Sequence, residues 1–100
     1  MSRSVEIRVI VFQDEGLWVA QGLEHDIGAQ AADLDTLYQR FVATLEAEVQ
    51  MSLESGDEPL AGIAAAPRRF HQMWEQRSRA FKPSRPPSIK DISFDMALCA

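Results

Sequence analysis

Apolar and polar residues alternate along the first segment of the chain. Val5, Ile7, Val9 and Val11 fall on one side, Glu6 and Arg8 on the other. A period of two is the pattern of a strand with one face in a core. Ile10 and Phe12 interrupt the polar side, so the far end of that face is expected to be covered as well. Gln13-Asp14-Glu15-Gly16 reads as a polar turn in which glycine takes the awkward backbone angle. Leu17–Leu23 reads as a second strand. Gly22, Glu24, His25 and Asp26 make a short connection, and Ile27–Ala32 is a third strand of small residues, against which a helix can lie close. The simplest topology is an antiparallel meander.

The period then changes. Leu34, Leu37, Tyr38, Phe41, Val42, Leu45 and Val49 form one broad stripe at helical spacing, predicting a helix over 34–53. Asp33 is placed to cap it, Asp35 sits in the first turn where the helix dipole favours negative charge, and Gly56 can take the left-handed stop. Residues 57–66 read as a loop. Pro67 suits the first turn of a second helix over 67–81, because its missing N–H would be unpaired there anyway. That helix is expected to present Phe70, Met73, Trp74, Arg77 and Phe81 on one face. Residues 82–88 are a stiff proline-rich linker. In 89–98, Ile92, Phe94, Met96 and Leu98 alternate with Ser93, Asp95 and Ala97 as a last strand.

The predicted order is β-β-β-α-α-β within one domain of residues 1–100, with residues 5–53 as its core. The fold class is α+β: a small, mainly antiparallel sheet of three or four strands packed on one long helix, with a second helix beside it. The last strand must join a sheet edge or leave its apolar face wet. The free edge of the first strand is the expected place, in the same chain or in a second copy. Unpaired edges in a small sheet make a homodimer the expected assembly.

Composition narrows the class. The chain has 100 residues, 46% hydrophobic and 25% charged, which is ordinary for one globular domain and argues against disorder. The segment Val5–Phe12 is too short and too charged to span a bilayer, and no signal peptide is read at the N-terminus. Cys99 is the only cysteine, so no intrachain disulfide can form. A reducing, cytoplasmic setting is expected. The net charge of −5 hides an asymmetry: residues 1–66 carry three basic and twelve acidic side chains, residues 67–90 seven basic and one acidic. An acidic body steers basic partners toward it and repels nucleic-acid phosphates, while the basic segment does the reverse locally.

The run Val9-Ile-Val-Phe-Gln-Asp-Glu-Gly-Leu-Trp-Val-Ala-Gln-Gly-Leu-Glu-His-Asp-Ile-Gly-Ala-Gln-Ala31, followed by Asp33-Leu34-Asp35-Thr36-Leu37, resembles the HicB-like antitoxin family. The shared pattern is a strand, an acidic-glycine turn, an aromatic-hydrophobic strand with an acidic-leucine ending, a short third strand and a leucine-rich helix. It covers a little under half of the chain, and most of its residues are structural. The resemblance implies a domain that binds a small ribonuclease toxin of the HicA type. Family members usually add a C-terminal DNA-binding domain. This sequence departs from them: no ribbon-helix-helix or helix-turn-helix module follows the sheet domain, and residues 67–98 look like a solitary branch of the family.

The candidate residues each have a plainer reading. Trp18 alternates with Ala20 and Gly22, opposite Leu17, Val19 and Leu23. If the long helix covers the latter face, Trp18 lies on the open one, where an exposed tryptophan suits a partner surface. Cover by the second helix is the alternative. Glu24, His25 and Asp26 lie in a loop at the sheet's end, where binding residues concentrate. His25 has no nucleophile near it in sequence, and neither it nor His71 has a metal-spaced partner. The family's sheet has been likened to a worn-down ribonuclease-H-type fold, whose nucleases hold two Mg²⁺ ions. Asp14, Glu15, Glu24 and Asp26 are the carboxylates that could do so, but turn chemistry explains Asp14 and Glu15 more simply. Arg68, Arg69, Arg77, Arg79, Lys82 and Arg85 could grip phosphates, a solvated helix face being the simpler account.

Three functions are thus in view. The first is a protein-binding module, not an enzyme, that neutralises a small basic HicA-like ribonuclease toxin by occluding its active site, through Trp18, Glu24, His25 and Asp26 and with no cofactor. The alternative is a nucleic-acid-binding regulator that uses the basic 67–90 segment. A divalent-metal nuclease built on Asp14, Glu24 and Asp26 is a distant third.

Overall fold

The structure, a computed structural model, describes residues 5–81 and 92–99. The linker read over 82–88 and the start of the last strand at 89–91 lie outside the described residues. The chain forms β1 (Val5–Asp14), β2 (Leu17–Gly22), β3 (Gly28–Ala31), α1 (Leu34–Glu54), α2 (Arg68–Glu75), β4 (Arg79–Phe81) and β5 (Ile92–Leu98). The strands make one mixed sheet in the order β3-β2-β1-β5-β4. This is an α+β fold, and of its four pairings only β1–β5 is parallel. The last strand does join the free edge of β1, and it does so within the same chain.

The turn and the helix ends follow from local chemistry. Glu15 and Gly16, both at positive φ (51° and 81°), form a two-residue hairpin between the paired Asp14 and Leu17. At the start of α1 the Asp33 carboxylate accepts the Thr36 N–H at 2.8 Å and the Thr36 hydroxyl at 3.0 Å. At its end Gly56 takes φ 79°, its N–H reaching Leu53 O while Asp57 N–H reaches Ser52 O. That double bond is a Schellman stop, which satisfies two carbonyls the helix leaves open.

Register decides which residues meet α1. Val9 pairs with Gly22, Val11 with Ala20 and Gln13 with Trp18, while Ile7 pairs with Phe94 and Val9 with Met96. These residues share one face, and α1 packs Leu37, Phe41 and Leu45 against it. Phe94 meets Phe41 edge-on at 5.7 Å and Tyr38 at 6.4 Å, both favourable aromatic geometries. The glycine and alanines of β2 and β3 on this face are what give the helix room.

The opposite face carries Ile10 beside Ala97, both wholly buried. There α2 crosses β1, with Phe70 stacked on Phe12 at 6.3 Å. No residue of α2 is fully buried, so this layer is thinner than the first. Among the described residues, no helix is long and apolar enough to cross a membrane.

Three expectations need correction. The second helix ends at Glu75, not 81, because the chain turns to lay β4 along the outer edge of β5, with Ser78 N–H on Leu98 O. Backbone groups on a free sheet edge outcompete further helical turns, and the sheet gains a fifth strand. Pro67 is the N-cap and not a first-turn residue. Trp18 lies on the α1 side, packed half-buried against the core, because α1 covers the Ala20–Gly22 side of β2 and not the Leu17–Val19 side.

Phe41 is wholly buried between helix and sheet. Phe41→Ala is expected to cost about 3–5 kcal/mol, read as a lower midpoint in urea denaturation with a similar slope.

Candidate partner-binding surfaces

The loop between β2 and β3 is built by close backbone packing. Gly22 N–H bonds Ile27 O at 2.8 Å, and a Cβ at Gly22 would stand 2.9 Å from His25 O. Only glycine fits without moving the loop. Leu23 N–H donates to Arg8 O, and Leu23 O accepts from Ala66 N–H at 3.0 Å. Asp26 N–H donates to Ala64 O at 2.7 Å, and His25 Nδ1 lies 3.0 Å from Ile63 O. A strap of residues 60–66 is thereby stitched to the loop. Leu60 anchors it in the core beneath α1, wholly buried, at φ 67°, a region leucine rarely enters. Its N–H is held by Ser52 Oγ.

The loop's side chains are largely engaged within the chain. Glu24 takes the Arg8 backbone N–H at 2.7 Å on Oε1 and the Arg8 guanidinium on Oε2. Partial burial pushes the Glu24 carboxyl up. The bonds from Arg8, its nearby charge and the loop's own N–H outweigh that and hold it below the ordinary glutamate value. His25 is half-buried against the strap. Asp26 is the exposed member, its Oδ1 accepting from the buried Gln21 amide at 2.9 Å.

Glu24, His25 and Asp26 therefore stand together at one end of the sheet. Trp18 does not join them. It lies toward the hairpin end of β2, four positions before Gly22, or about 13 Å along the strand. Asp14 and Glu15 share that far end, so the trio Asp14, Glu24 and Asp26 is not brought together. Among the described residues, no group of three or more His, Cys, Asp or Glu is arranged to hold a metal ion. Cys99 lies beside α2 with Sγ 3.4 Å from Met73 O, and burial pushes its thiol up against a smaller opposing pull from Arg77.

Two surfaces emerge that single residues did not announce. Along α1 and the turn after it, residues 33–58 carry seven carboxylates against one cation, Arg40. Met51 and Leu53 are exposed near its end, at 60% and 54%. On the other side of the sheet, guanidiniums lie over aromatic rings: Arg69 over Phe70 at 4.7 Å, Arg77 over Trp74 at 4.7 Å, and Arg8 over Trp74 at 5.6 Å. The spacing of Trp74 and Arg77, three apart near the end of a helix, is the sequence signal for that contact. Arg8 is too distant in sequence to have one.

No family model, no curated protein and no solved structure matches this chain.

Because the Glu24 carboxyl is lowered in the folded state, its contribution to stability is present above its unfolded value and is lost as pH falls through the folded one. The stability gap between the parent protein and Glu24→Gln should be widest near neutrality and close under acid, measured by urea titrations at a series of pH values. Gly22→Ala should lower the melting temperature and speed amide exchange at Asp26 and Ala66, the two strap bonds that the added Cβ would disturb.

Proposed function

We propose that this chain is a protein-binding module that docks on a small basic ribonuclease and blocks its active site, in the manner implied by its resemblance to HicB-type antitoxins. The observation that carries the reading is the acidic outward surface of α1 and the turn that follows it. A field of one sign speeds encounter with a partner of the opposite sign and selects against acidic partners. Exposed Met51 and Leu53 within that surface supply apolar area for the docked state. The three-stranded meander followed by the leucine-rich helix is the element order the resemblance implies, and it supports the same reading.

Occlusion needs shape and charge and no bond-making, so the proposal assigns no catalytic residue and no cofactor to this chain. Asp26, the exposed residue of the sheet-end loop, and Glu24 and His25 behind it would extend the acidic contact. Trp18, toward the far end of β2, would belong to a separate part of the footprint. The setting is a reducing cytoplasm, and the assembly a homodimer.

The test is affinity capture with tagged protein from the source lysate, with nuclease treatment, followed by mass spectrometry. A small basic protein recovered stoichiometrically is expected, with its association rate falling as salt rises. Glu46→Lys together with Glu54→Lys should weaken that capture at least tenfold while leaving the fold intact by circular dichroism. Recovery of nucleic acid alone, or capture unaffected by the charge reversal, would sink the proposal.

A further inference from the structure

We propose that the α2 side of the sheet is a second, independent binding surface, whose ligand is the phosphate backbone of a single-stranded nucleic acid. The cations of the chain are spent unequally. Arg8 is committed to Glu24, and Arg40 donates to Gln30 O at 2.9 Å beside the Asp33 cap. Arg68, Arg69 and Arg77 are all exposed, and among the described residues no carboxylate pairs with any of them. All three lie on α2 or within two residues of its end, on the other side of the sheet from α1. The acidic helix face is thus turned away from them; the exposed carboxylates on their own side, Glu6, Glu75 and Asp95, pair with none of the three.

Two of the three are also held in place. Arg69 lies over Phe70, and Arg77 lies over Trp74 while its Nη1 donates to Trp74 O at 3.0 Å. A guanidinium resting on a ring keeps donors at its edge free and has less freedom left to lose when it binds an anion. Phosphate accepts such a donor pair in bidentate fashion. The ring-held guanidinium planes favour nucleic acid over an acidic protein. The faces of Phe70 and Trp74 are taken by Phe12 and the guanidiniums, but each stacked guanidinium turns its own outer face to solvent, and bases stack on guanidinium planes. An acidic peptide would use the edges of the guanidiniums and leave their faces idle.

The probe is a fluorescein-labelled fifteen-nucleotide oligo-dT, followed by anisotropy. Saturable binding is expected at 50 mM salt. Three phosphate contacts on a single strand imply a dissociation constant about twentyfold weaker at 200 mM. Arg69→Gln with Arg77→Gln should weaken binding at least tenfold, and Arg40→Gln, on the other side of the sheet, should not. In a Trp18→Phe background, Trp74 is the sole tryptophan, and its emission should be quenched on binding. If circular dichroism shows the double variant unfolded, Arg68→Gln, which has no ring contact, takes its place: loss of affinity supports the proposal and unchanged affinity overturns it. Absence of saturation at 50 mM salt, binding unchanged in the folded double variant, or displacement by polyglutamate at equal charge concentration each overturns it. The surface is distinct from the acidic face of α1, so failure here leaves the antitoxin-like reading standing, and the reverse also holds.

Discussion

Everything in this fold leans on β1, which is used on both edges and both faces. Its backbone pairs with β2 on one side and β5 on the other. Its odd-numbered residues meet α1, while Ile10 and Phe12 turn to the layer that contains α2. Because β5 runs parallel to β1, no tight turn can join the end of the meander to it, and the chain must cross over. The crossover puts α1 on one face and α2 on the other, so it has to round the end of the sheet. Residues 60–66 make that passage, and the price is a buried leucine in a left-handed conformation. The same strap fixes the Glu24–Asp26 loop. The geometry of the candidate surface is therefore a by-product of the strand pairing.

The layered arrangement also separates charge. Carboxylates line the outside of α1, while α2 carries exposed guanidiniums that, among the described residues, pair with no carboxylate, not even with Glu6, Glu75 and Asp95 on the same side. The shortest principal extent of the molecule, 22 Å, is more than twice the Debye length of about 8 Å at physiological ionic strength. Each face then acts on its surroundings with little interference from the other. A net charge of −5 describes neither. This is how a chain that is acidic overall can keep Arg68, Arg69 and Arg77 exposed and without carboxylate partners among the described residues.

Much of the fold was legible wherever one strong local rule applied. The strict alternation of Val5–Val9, the stripe from Leu34 to Val49, the Asp33 cap and the Gly56 stop all appear where the residues point. The last strand's place beside β1 followed from its need to cover an apolar face. Legibility failed where two rules competed. Residues 77–81 carry an aromatic at helical spacing, but they also sit next to an open strand edge, and the edge won. The place of Trp18 hangs on which face of β2 the long helix covers. The answer turned on which face was smaller, since a helix settles over Ala20 and Gly22 more closely than over Leu17 and Val19. The candidate site was less legible still. Glu24 and Asp26 read as free carboxylates because Arg8, sixteen positions away, and Gln21, on a buried face, gave no sign of being their partners.

The pairing of β1 with β5 also sets the order of events in the cell. β1 is completed by a strand that is made 87 residues after it, Val5 pairing with Ile92. Until residue 98 has emerged, the meander and α1 can assemble, but one edge of β1 stays open, with Val5, Ile7, Val9 and Val11 in a strand well suited to pairing with a neighbouring chain. Closing the sheet requires contacts between residues 87 positions apart, as Val5 and Ile92 are, which is slow compared with forming the helices. The nascent chain is thus most exposed to misassembly just before β5 emerges. A chain cut before Ile92 would stay in that open state, losing far more than the seven residues of β5.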